Sequence, residues 1–99
     1  MATLHIINAS LDRRAAMENC LHAVLPGDTV LLIGNGVFWA VAATFDREAS
    51  PAHGISWCAL APDMVSRGID EHVSAKVQQI DDGAFVDLVA SHRPIVSWS

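Results

Sequence analysis

Apolar and polar positions divide the chain into short segments that alternate between two periods. Leu4 to Asn8 is a β-type run ended by Asn8-Ala9-Ser10, with Ser10 placed to cap a following helix. Ala16, Met17, Cys20, Leu21 and Val24 then recur on one helical face, while Arg13, Arg14, Glu18, Asn19 and His22 fall off it. Pro26-Gly27-Asp28 stops that helix. Thr29 to Ile33 is continuously apolar and rich in β-branched residues, as a strand covered on both faces requires. Gly34-Asn35-Gly36 turns the chain into Val37 to Thr44, an apolar stretch of helical length.

Asp46 to Gly54 is irregular and reads as a surface loop. Ile55 to Ala61 is a third strand. Pro62-Asp63 opens a short helix that ends at Arg67-Gly68, with proline in the first turn and glycine at the C-cap. Val77 to Ile80 is a weak fourth strand. Asp81 to His92 is a helix with Phe85, Val86, Leu88 and Val89 in a stripe and Asp81 and Asp82 at its N-terminus, where the dipole favours them. Ile95 to Trp98 closes the chain as a fifth strand. Strands alternating with helices predict βαβ units. The expected fold is α/β: a small, open, doubly wound, flavodoxin-like domain over 1–99, with a mostly parallel five-stranded sheet and helices on both faces.

Composition adds a second expectation. Apolar residues make up 52% of the chain and charged residues only 17%, against about 25% charged in an average domain. A small domain has much surface to cover, so this balance predicts exposed apolar area and a protein partner. Val37 to Ala43 has no polar face at all, and a helix apolar all round must be covered on every side. One sheet covers one side only, so Val37, Phe38 and Trp39 are the expected interface residues.

The net charge of −5, with six Lys and Arg in all, argues against direct nucleic-acid binding, which needs clustered cations. Two cysteines and no basic-then-apolar N-terminus suit a reducing, cytoplasmic setting. The uncharged stretch Thr29 to Phe45 is too short for a membrane span and is broken by glycines.

The chemical inventory is thin. His5, His22, His53, His72 and His92 make no HxxxH or CxxC-type spacing, so no metal site is expected. Gly34-Asn35-Gly36 lies where a parallel sheet presents its carboxyl ends to ligands. It lacks the third glycine of a dinucleotide fingerprint and the Gly-Lys-Ser/Thr of a phosphate loop, so a structural turn is the simpler reading and no cofactor is expected. Cys58 falls in mid-strand and reads as a buried, inert hydrophobe. Cys20 lies on an apolar helix face in the C-terminal half of its helix, where the dipole disfavours a thiolate. Those features describe a structural residue, although Cys20 is the best nucleophile candidate in the chain.

Several segments together resemble the DsrH/TusB family of the DsrE/DsrF/DsrH sulfur-relay group. They are Leu4-His5 with Asn8 and Ser10, Cys20-Leu21, Gly27-Asp28, Leu31 to Val37, Ala59-Leu60 with Asp63, Arg67-Gly68-Ile69, Ile80-Asp81, Phe85 to Val89, His92 and Ser97-Trp98. The resemblance runs nearly end to end. Two positions depart from the family: Asn35 stands where Asp is common, and Asp82 where an aromatic often follows the Ile-Asp pair. The resemblance implies a heterohexamer with DsrE/TusD-like and DsrF/TusC-like paralogues. Such an assembly passes cysteine-persulfide sulfur to a downstream carrier protein, toward tRNA wobble-uridine 2-thiolation or dissimilatory sulfur oxidation. It also implies Cys20 as a candidate persulfide carrier, because family members often have a cysteine in the first helix. The alternative is a non-catalytic subunit that completes the hexamer and presents a paralogue's cysteine. A nucleotide-binding or signalling domain has only the generic fold behind it.

Overall fold

The computed structural model describes residues 2–48 and 54–99. Five strands form one all-parallel sheet: β1 (Leu4–Ile7), β2 (Thr29–Leu32), β3 (Ser56–Leu60), β4 (Gln78–Ile80) and β5 (Ile95–Trp98), in the order β4-β3-β2-β1-β5. The chain steps outward from β1 to β4 and then crosses back to the other edge. Right-handed crossovers put outward and returning connections on opposite faces of a sheet. The helices obey that rule.

Helix α1 (Arg14–Ala23), a 3-10 helix over Gly34–Ala40, α2 (Ala42–Glu48) and α3 (Ala61–Ser66) belong to the outward steps. Ala16, Met17, Cys20, Val37, Trp39, Phe45 and Met64 from these elements pack with Ile7, Val30, Leu32, Trp57 and Ala59 of the strands. Phe45 meets Trp57 edge to face at 5.0 Å. The opposite face carries α4 (Asp82–Ser91) alone. Its Phe85, Leu88 and Val89 rest half-buried on Leu4, Leu31, Cys58, Leu60 and Ile80.

Some expected boundaries are corrected. Ser10 does not cap α1: its hydroxyl donates to the Asp12 carboxylate, and the helix starts four residues later, at Arg14. The apolar stretch Val37 to Thr44 is not one α-helix. A tight 3-10 helix ends at Ala40, Val41 is extended (φ −60°, ψ 130°) and bridges Val73, and α2 begins at Ala42. The Ala42 N–H donates to the His72 carbonyl and the Ser74 N–H to the Ala40 carbonyl. Tertiary pairing at Val41 thus overrides the helical preference of the run. Asp46 to Glu48, expected in a loop, finish α2. The rest of that loop up to residue 53, His53 included, lies outside the described residues. Asp81 is the cap of α4, its carboxylate accepting from the Ala84 N–H at 2.8 Å. Among the described residues no helix is long and apolar enough to cross a membrane.

Candidate functional site

The carboxyl ends of β1 and β2 meet at the Gly34-Asn35-Gly36 turn. Gly34 sits at φ +54°, where a side chain is strained. Gly36 is required for a different reason. A Cβ there would stand 2.2 Å from the Ile7 carbonyl oxygen, so the turn lies directly against the end of β1. The Gly34 N–H donates to the Asp63 carboxylate at 2.7 Å. Arg67 donates from Nε to Asn35 Oδ1 at 3.1 Å and from Nη1 to the Asp63 carbonyl at 3.0 Å. This turn has no anion cradle. Its first N–H already serves a carboxylate, and a second negative charge would meet Asp63.

Beside the turn, Ser10, Leu11, Asp12, Asn35 and Phe38 line a shallow depression of about 400 Å³. Two of the expected site residues, Asn35 and Phe38, therefore share a surface. Val37 and Trp39 do not reach it. Val37 is fully buried, and Trp39 is 2% exposed with its indole N–H donating to the Ala9 carbonyl at 2.9 Å. Both are core residues of their own chain, so the all-round apolar pattern is covered mainly from within. Phe38 is half-buried and is the member of the trio left facing the depression.

Cys20 lies elsewhere. Helix α1 runs back across the sheet from the end of β1 towards the start of β2, so its second half approaches the amino-terminal end. The Cys20 side chain is fully buried. Burial, aided by the negative charge of Asp28, pushes its thiol up to about 12. A thiol in that setting stays protonated and out of reach. Cys58 is likewise buried, with its thiol raised by burial. Among the described residues no three His, Cys, Asp or Glu side chains are grouped so as to hold a metal ion.

The amino-terminal end holds a polar cluster that no local pattern announces. Asp28 is buried and accepts from the Thr3 and Leu25 N–H groups, each at 3.0 Å, and from His5 Nε2 at 3.0 Å. Burial opposes its ionisation. The two backbone donors and His5 outweigh that and hold its carboxyl below the ordinary carboxylate value. The Trp98 indole N–H, a donor only, points to His5 Nδ1 at 3.2 Å. His5 is therefore the neutral Nε2–H tautomer, donating to Asp28 and accepting from Trp98. Nearby, Thr29 Oγ1 pairs with His92 Nε2 at 2.9 Å, and His92 Nδ1 donates to the Leu88 carbonyl. His5, Asp28, His92 and Trp98 thus join β1, β2, α4 and β5 and have structural work to do.

The geometry is that of a small α/β domain with an all-parallel sheet, a polar tie at one end and a shallow open depression at the other. Residues 10–95 match the family described as DsrH like protein, and the chain belongs to that family. Among its relatives, Protein TusB of Photorhabdus laumondii is 36% identical over 73% of this chain and 76% of its own length. Protein TusB of Pectobacterium parmentieri is 30% identical over 96% and 99%, respectively. The solution structure of protein Tm0979 from Thermotoga maritima superposes with a TM-score of 0.68. It is 25% identical and covers 89% of this chain and 91% of its own.

Proposed function

We propose that this chain is a non-catalytic subunit of a sulfur-relay assembly. In this reading it completes a heterohexamer with DsrE/TusD-like and DsrF/TusC-like paralogues, and a paralogue's cysteine carries the persulfide. The observation that carries it is the burial of Cys20. A persulfide carrier needs a thiolate that a partner can reach. Cys20 offers neither the thiolate nor the access. The end use, tRNA wobble-uridine 2-thiolation or dissimilatory sulfur oxidation, follows from the paralogues and the downstream carrier with which the chain is assembled.

The test is sulfur loading of the assembled complex from a persulfide donor, followed by intact mass measurement of every subunit. The expected result is a one-sulfur increment on a paralogue and none on this chain. An increment on this chain that disappears in Cys20→Ala would make it a carrier. Absence of any increment on any subunit would remove the sulfur-relay reading.

A further inference from the structure

The depression at the carboxyl ends of β1 and β2 is unlike an enclosed ligand cavity. It is shallow, with an apolar part formed by Phe38 and Leu11, the latter 44% exposed, and a polar part formed by Ser10, Asp12 and Asn35. We propose that it receives a guanidinium-bearing side chain, an arginine, from a partner protein. This proposal rests on the subunit reading above and names the chemistry of one of its contacts.

The argument is charge and shape complementarity. Asp12 is the one ionised residue in the lining. The Ser10 hydroxyl donates to Asp12 Oδ1, and among the described residues no other side chain donates to that carboxylate. An aromatic ring next to a carboxylate suits a cation on an apolar stem, which gains a charge-assisted hydrogen bond and packing against the ring. An arginine stem has enough aliphatic length to lie along Leu11 and Phe38 while its head reaches Asp12. Asp12 disfavours an anion in the lining, and the Arg67 guanidinium already stands at its rim on Asn35 Oδ1.

A second copy of the chain is a poor source of that arginine. Of its six cations, Arg14 is held by Glu18 and Glu48, Arg47 by Glu48, and Lys76 by Asp46. Arg67 is bound to Asn35 and Asp63, and Arg93 to the carbonyls of Val89 and His92. Arg13 remains; it adjoins Asp12, whose carboxyl is held low chiefly by the Ser10 hydroxyl and in smaller part by Arg13. The net charge of −5 also opposes self-association and favours a basic partner surface.

The test uses the full chain in solution, so it is independent of sulfur transfer. Backbone and side-chain amide NMR signals are followed while N-acetyl-arginine methylamide is added, with the glutamate and norleucine methylamides as parallel probes. Saturable shifts centred on Ser10, Asp12 and the Asn35 amide are expected with arginine and not with glutamate. Asp12→Asn weakens arginine binding about tenfold, the loss expected for one charge-assisted hydrogen bond. Phe38→Leu keeps the fold and also weakens binding. Equal shifts from arginine and norleucine, no saturable shift from arginine, or undiminished binding by Asp12→Asn would each overturn the proposal. The subunit reading would stand in all three cases.

Discussion

His5 Nε2 donates to Asp28 Oδ2 across 3.0 Å in the interior, and the two residues stand 23 positions apart in the chain. Because Trp98 donates to the other ring nitrogen, the pair ties the last strand to the first and to the turn before the second. Asp28 also satisfies the Thr3 and Leu25 N–H groups, so one carboxylate serves three donors. Removing it strands all of them in a buried site.

Asp28→Ala is therefore expected to cost about 3 kcal/mol or more, measured by urea denaturation at pH 7. The pH dependence follows from the sign of the shift. The Asp28 carboxyl lies lower in the folded chain than in the unfolded one. Its contribution is present above the unfolded value of about 3.9 and is lost as pH falls through the folded value. Stability of the parent chain should decline steeply below about pH 4, and Asp28→Asn should flatten that decline while lowering the plateau at neutral pH. A parallel decline in parent and variant would show that other carboxylates set the acid limit.

Two glycines of one turn should respond differently to alanine. Gly36→Ala places a methyl group 2.2 Å from the Ile7 carbonyl, and that atom is backbone, so β1 and the turn must separate. A loss of at least about 3 kcal/mol is expected, at the upper end for point substitutions. Gly34→Ala meets nothing within 4 Å and suffers only its positive φ, a cost of about 1–2 kcal/mol. Equal effects in thermal denaturation would refute the close-approach argument.

The element order was legible because each strand is a short apolar run bounded by Gly, Pro, Asn or Asp, and that signal is local. What was missed depends on distant parts of the chain. Nothing in Val37 to Thr44 announces that Val41 will pair with Val73 and break the helix. Nothing near Ser10 shows that Asp12 will take its hydroxyl from the capping role. The His5–Trp98 contact spans 93 positions and has no periodicity to betray it. The Asn35 and Phe38 positions were legible as turn and apolar surface. Their partner residues Leu11 and Asp12 were not, because they come from the loop after β1.

Cysteine chemistry gives a direct check of the interior. With its thiol pushed up to about 12, Cys20 is ionised in only about one molecule in a hundred thousand at pH 7. Neither Cys20 nor Cys58 should react with a disulfide reagent in the folded chain, and both should react on denaturation. Cys20→Ala should cost about 1 kcal/mol of packing, whereas Cys20→Ser should cost more, about 1–3 kcal/mol, because the hydroxyl is desolvated among apolar neighbours. Rapid modification of native Cys20 would contradict the burial on which its structural role rests.

Phe38 and Trp39 are adjacent in sequence and should separate folding from assembly. Trp39 fills the core and satisfies the Ala9 carbonyl, so Trp39→Ala should cost about 3–5 kcal/mol and lower the yield of folded chain. Phe38 contributes one face to the open depression, and Phe38→Ser should change the stability of the isolated chain by less than about 1 kcal/mol. The same substitution should sharply reduce co-purification with co-expressed paralogous subunits, because a half-buried aromatic at a contact is a strong anchor. Denaturation midpoints of the isolated chain and subunit ratios of the purified complex measure the two effects separately. Unchanged subunit ratios in Phe38→Ser would move the contact surface away from this end of the sheet. The exposed apolar residues elsewhere, Leu25, Val65, Val86 and Ile95, would then be the next candidates.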